Sequence, residues 1–490
     1  MNKIISIFSI FILLFSFTGC EKSLDELNVN PNEPDYSNPD YLMTYAIVKG
    51  MGEYNSDVTL EQWSVMHWNM FLASKNGKEE GKVYEMPSGK ESFWREQYTN
   101  ALSNTQEVIN LTENDFYLIN KTSIARIWKV FLFHRLTDLW GEIPYSEALK
   151  GISDMNRSPK YDTQESIYTD MLNELKEAAA LLDADKVTFV ASADPVYQGD
   201  VLKWQRFANS LRLRLAVRIK NAAPELSNIV IDELENQLLI SSNIESATFP
   251  FNSQIKNHLY EAEFRGEAFI QNNPSRFLVE MLKNTNDPRI EVILNKAVLS
   301  PLPTVDDYTG LDNLLPPTEN YWDSFNDEGT DIATIGDWFL RNETPGVVMG
   351  YGEVCFLKAE VALADGNSEA SQQLFEEGIR ADMEFYGSEK ITEQEIEDYI
   401  QNAGEVNLEK IITQKWLSFV FENGYEAFTE YRRTGYPVLL NYDGEEIDQQ
   451  PFPKRLTYPV SEQNLNSANY LDAISRQGAD APETSLWWDI

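Results

Sequence analysis

Five aromatic residues stand in loops or at helix edges: Trp68, Tyr84, Tyr260, Trp322 and Trp338. Asn69, Arg265 and Asn273 offer polar partners in the same parts of the chain. These types together suit sugar recognition. A flat ring stacks on the apolar face of a pyranose, while amide and guanidinium groups satisfy its hydroxyls. With 11 Trp and 23 Tyr the chain can build such a platform. Most of these rings are nevertheless core. Trp94, Trp128, Trp204 and Trp416 fall on apolar helical stripes and read as structural.

Bond-breaking chemistry has no comparable signature. The three histidines, His67, His134 and His258, lack HExxH or HxH spacing, so no metal centre is indicated. Neither a GxSxG elbow nor a phosphate-binding loop occurs. A glycosidase needs only two carboxylates, and 78 acids make any one pair uninformative, so surface hydrolysis stays open as an alternative. The acidic run from Asp323 to Asp331 lacks the EF-hand order of ligands. Structural calcium there is the one metal considered, and no other cofactor is expected. The net charge of −38 argues against nucleic acid and against a purely electrostatic grip on anionic lipid.

The N-terminus sets the compartment. Lys3 precedes an apolar run, Ile4 to Phe17, of 14 residues. At helical rise that is too short to cross a bilayer but suits a signal peptide. Phe17-Thr18-Gly19-Cys20 resembles a bacterial lipobox, in which the signal (1–19) is removed and Cys20 carries lipid. The only other cysteine is Cys355, so no disulfide staple is expected. No later stretch reaches 18 uncharged apolar residues, leaving the lipid as the expected membrane attachment. Residues 20–40 read as a tether, broken by Pro31, Pro34 and Pro39. Its acids, Glu21, Asp25 and Glu26, resemble the export signals of Bacteroidetes surface lipoproteins.

Behind the tether the chain is mainly α. Apolar spacing predicts helices over 60–73, 93–109, 123–140, 162–182 and 200–220, with helical character continuing to 240. Asp162 with Glu165 suggests a capping box, Asp200 a cap, and Gly141 a left-handed stop. Arg206, Arg212, Arg214 and Arg218 form a basic cluster, better explained by pairing with acidic helices than by an anion site. Residues 241–346 are rich in proline and aromatics, with one clear helix over 274–282, and read as an irregular lobe. Residues 351–386 give helix, turn at Asp365-Gly366-Asn367, helix. Ala359, Ser371 and Gly378 fall where a tetratricopeptide repeat places small residues. A further helix is expected over 406–421, with the last fifty residues loop-rich.

Several stretches resemble the SusD/RagB family of Bacteroidetes surface lipoproteins, in its SusD-like branch. They are NVNPNEP (28–34), HRLTDLWGEIPYSEAL (134–149), GDVLKWQRFANSLRLRLAVRI (199–219), ETPGVVMGYGEVCFLKAEVAL (343–363), the run from 412 to 437, FPKRLTYPVSEQNLNSANY (452–470) and the terminal WWD. Lys454 stands where an arginine is common, and the middle lobe matches no motif. The resemblance implies a tetratricopeptide-like helical scaffold (41–240 and 347–490) carrying a ligand-facing lobe (241–346). It implies a protein on the outer face of the outer membrane that binds oligosaccharide and serves as a lid on a SusC-like TonB-dependent transporter. No catalysis is expected of it. Peptide or another non-sugar nutrient is the alternative ligand. Arg432 and Arg433 are expected to fix the scaffold through ion pairs.

Overall fold

The structure, a computed structural model, describes residues 37–51, 58–74, 86–150, 156–265, 272–297, 308–311, 332–387, 390–440 and 452–489. Its first half is a stack of helices. The main ones are α1 (Pro39–Gly50), α2 (Ser103–Thr112, reached from a helical turn at Gly89–Glu96 through a π-helical stretch at Gln97–Leu102), α3 (Ile119–Trp140), α4 (Gln164–Leu181), α5 (Val201–Arg218) and α6 (Pro224–Leu234). The element that organises them is α3, apolar on nearly every side and buried accordingly. It packs on α2 and α4, while α5 packs on α4 and α6. Gly141 stops α3 at φ +85°, and a Cβ there would also strike Gln477 Oε1. Asp200 caps α5 as expected, accepting from Lys203 N at 3.1 Å.

The second half continues with α7 (His258–Arg265), α8 (Arg276–Asn284), α9 (Tyr351–Ala364), α10 (Ser368–Gly387), α11 (Glu393–Ala403), α12 (Leu408–Leu417), α13 (Gly424–Thr434) and α14 (Ser467–Gln477). The expected helix–turn–helix is α9–α10. Gly366 turns the corner at φ +76°, Ser371 Oγ donates to Ala359 O at 2.8 Å, and Gly378 lies against the Phe356 ring. Small residues at these points let the two backbones approach. Four short antiparallel pairs complete the described residues: β1 (Leu72–Ser74) with β5 (Asn272–Pro274), β2 (Ile143–Pro144) with β3 (Tyr161–Asp162), β4 (Ala247–Phe249) with β8 (Gly346–Met349), and β6 (Leu294–Asn295) with β7 (Thr334–Ile335).

The loop-rich C-terminus folds back on the end of α3. Leu456 N donates to Leu139 O at 2.8 Å, and Trp140 Nε1 to Thr457 O at 3.1 Å. Tyr458 OH donates to Glu142 O at 2.6 Å, and Trp488 is fully buried. The apolar core forms two large clusters, one around α1–α5 with this tail, the other around α8, α10 and α12. Both draw residues from α9 and α13.

Five local expectations are corrected. Pro39 begins α1 instead of barring a helix, because a proline in the first turn loses no hydrogen bond. The helix expected over 60–73 stops at Trp68; Met70 turns the chain at φ +60° so that Leu72 can pair with Pro274. Strand pairing there outweighs the helical spacing. Pro274 accordingly ends β5, and Ser275 caps α8 by accepting from Leu278 N. Thr163, not Asp162, caps α4; Asp162 instead receives Ser146 N at 2.7 Å. Arg432 makes no ion pair among the described residues: it donates to Asp138 O, Lys454 O and Phe428 O and lies over the Phe428 ring. Arg433 does pair, with Glu360 and Glu430.

Candidate functional site

The basic cluster resolves into scaffold. Arg214 donates to both Glu353 oxygens at 2.6 and 2.7 Å and to Val348 O. Arg218 binds Asp138 at 2.5 Å, Glu430 at 3.3 Å, and Glu426. Arg212 and Arg206 pair with Glu233 and Glu245. These contacts tie α5 to α3, α9 and α13, where the two apolar clusters meet. Desolvation works against both Arg218 and Glu426, but their mutual attraction outweighs it: the guanidinium is held above its ordinary range and the carboxylate well below. Glu430 is likewise held low against desolvation, by Arg433, Lys415 and Arg218.

His134, Asp138 and Glu426 bring ligand-type atoms within 4.8 Å of one another. The arrangement is that of an ion-pair network, because the cationic partner is already present. Arg218 contacts both carboxylates, and Tyr168 OH donates to Asp138. His134 Nδ1 lies 2.6 Å from Phe131 O, which only accepts, so Nδ1 carries a proton and is not free to ligate. A metal ion would have to displace Arg218.

The site-like feature is a small mount built on Leu72–Ser74. Here β1 pairs with β5, Ser275 bridges Leu311, and Ala333 N donates to Thr309 O at 2.9 Å. Ser275 Oγ donates to Met70 O, fastening the mount to the turn below it. A Cβ on Gly310 would lie 2.5 Å from Arg276 Cα, so only glycine allows this approach. Four stretches of chain meet the mount with at least one end: 75–85, 266–271, 298–307 and 312–331. Tyr84 and Trp322 belong to the first and last of these and lie outside the described residues, as do Cys20 and the acidic run at 323–331. Arg265 closes α7, and its side chain also lies outside them.

The remaining candidates separate into two groups. Trp68 is fully buried, 5.3 Å from the Phe428 ring, and presents no face to a ligand. Asn69 and Asn273 are buried clamps, donating to Gly424 O at 2.7 Å and Ala333 O at 2.9 Å. Tyr260 and Trp338, by contrast, are half-buried. They are linked through Asn257, a residue the sequence reading passed over. Its Oδ1 accepts from Tyr260 N at 3.1 Å, and its Nδ2 donates to Thr344 O at 3.2 Å. Thr344 Oγ1 in turn donates to Trp338 O. The signal was an asparagine three residues before Tyr260, the spacing of a helix cap. Trp338 rests edge-on against Phe339 and Tyr386, at centroid distances of 4.9 and 5.0 Å. The four rings read as structural are buried as expected.

A family model described as starch-binding, associating with outer membrane, matches residues 31–459. No curated protein matches the chain significantly. Solved structures do. A chitin-binding protein is 27% identical with a TM-score of 0.81, covering 92% of this chain and 100% of that one. A Bacteroidetes AC2a SusD-like protein is 26% identical at 0.80, covering 93% and 100%. A chitin-binding SusD homologue from Flavobacterium johnsoniae is 25% identical at 0.77, covering 92% and 98%.

Proposed function

The chain belongs to the SusD-like family, and from that premise we propose that it captures oligosaccharides at the bacterial surface and passes them, unbroken, to a SusC-like TonB-dependent transporter for which it acts as a lid. One observation carries the capture step. Trp338 and Tyr260 are part-exposed and are tied together through Asn257 and Thr344. Rings held at an irregular surface on a rigid helical frame suit stacking against sugar faces. Two relatives described as chitin-binding support the ligand class. Among the described residues no helix is long and apolar enough to cross a membrane, consistent with attachment through a lipid on Cys20.

The test is binding by the purified mature chain on a glycan array and by calorimetry. Trp322→Ala with Trp338→Ala should abolish it, at a cost of about 1–3 kcal/mol per lost stacking partner. Peptide capture without glycan binding, or turnover of a polymer, would contradict the reading. Cys20→Ala should release the protein from the membrane; surface protein still carrying lipid in that variant would contradict the anchor.

A further inference from the structure

A cavity of about 600 Å³ lies away from the mount, between α2, α3 and α4 and beneath the turn at 145–150. That volume is in the range of small-ligand sites. Its walls are polar, and its charges are unevenly satisfied. Arg126 holds Glu174 through two bonds of 2.8 and 2.9 Å. Tyr145 OH donates to Asp170 at 2.6 Å. Asp162 takes Ser146 N and Oγ at 2.7 and 2.9 Å, with Lys160 Nζ 3.5 Å away. Each acid therefore has a partner. Lys129 donates instead to a neutral oxygen, Gln106 Oε1, at 3.2 Å. Lys150 and Lys160 complete a cationic side to the lining, and Phe133 and Tyr145 form an aromatic corner with centroids 4.7 Å apart.

We propose that this cavity is a second binding site, for a carboxylate-bearing sugar of one or two rings, with Lys129 receiving the carboxylate. An anionic ligand would supply the charge-assisted bond that Gln106 does not. The half-buried Tyr145 ring, backed by the buried Phe133, offers an apolar edge to the sugar ring. Desolvation pulls the Lys129 ammonium below its ordinary pKa. Glu174 and Asp170 oppose this, and Arg126 and Lys150 add to it. A bound carboxylate opposes the desolvation further, so binding takes up a proton in the alkaline range.

The experiment is a calorimetric titration of the full mature chain with D-galacturonate and with D-galactose, its neutral counterpart. Galacturonate should bind about tenfold or more tightly than galactose, and Lys129→Met should remove that preference. Repeating the titration at alkaline pH in buffers of different ionisation enthalpy should show proton uptake. Lys129→Arg should keep the preference but lose the uptake, since arginine stays charged. Equal binding of the two sugars, no binding of either up to about 10 mM, or unchanged proton uptake in Lys129→Arg would overturn the assignment. Should Lys129→Met fail to fold, the comparison of wild type with Lys129→Arg still decides.

Discussion

Arg218 shows how single residues hold this molecule. It is fully buried and touches Asp138, Glu426 and Glu430. Such a network contributes little over a well-packed apolar core, yet breaking it strands a charge. Arg218→Met should therefore cost about 3–5 kcal/mol, measured by urea unfolding. The carboxylates also set a pH dependence. Glu426 and Glu430 titrate below their unfolded value of about 4.3. Their contribution is complete above that value and is lost as pH falls through their folded values. Asp382 acts with the opposite sign. Desolvation, opposed by Arg289, pushes it up to about 6, so its ionisation costs stability as pH rises from about 3.9 to about 6. Glu430→Gln should start less stable at neutral pH and lose less on acidification than wild type. Parallel acid limbs for the two proteins would contradict this. The basic cluster was readable in the sequence as scaffold because acids outnumber bases, 78 to 40. Which acid each arginine of this cluster meets depends on partners up to 212 residues away, as for Arg218 and Glu430, and no spacing encodes that.

At the scale of elements, α9–α10 was legible because a helix pair needs small residues at fixed offsets, and Ala359, Ser371 and Gly378 meet there. A Cβ on Gly378 would approach the Phe356 ring to 2.5 Å. Gly378→Val should cost about 1–3 kcal/mol through overpacking, read as a lowered urea midpoint with an unchanged slope. The mount was not legible. Its strands are three residues long, too short for alternation to register, and β1 lies at the end of a run whose spacing fits a helix equally well. The same limit explains Trp68, which fits a helix edge by position and a core by packing. Asn257→Ala should loosen Tyr260 and Trp338 together. The expected outcome is a glycan affinity lowered several-fold with urea stability changed by only about 1 kcal/mol, the usual worth of one hydrogen bond.

The described residues form a helical frame that carries four short antiparallel strand pairs. The frame is held by two apolar clusters, buried ion pairs where they meet, and a C-terminal tail locked onto the end of α3. Its architecture was predictable because helical periodicity is long and redundant, and motifs such as FPKRLTYP and the terminal WWD mark the tail that closes it. Ligand choice is proposed to rest on short, non-periodic stretches of the chain, and composition does not encode their geometry. The proposed division of labour is that the frame positions and the lobe selects. It is tested most directly by calorimetric titration of glycan-array hits into the wild-type chain and into the Trp322→Ala, Trp338→Ala double variant. The account predicts saturable glycan binding in the first and none in the second, with the double variant still unfolding cooperatively in urea although weakened by the loss of the Trp338 contacts with Phe339 and Tyr386. Failure to bind any glycan, or binding that survives in the double variant, would contradict it.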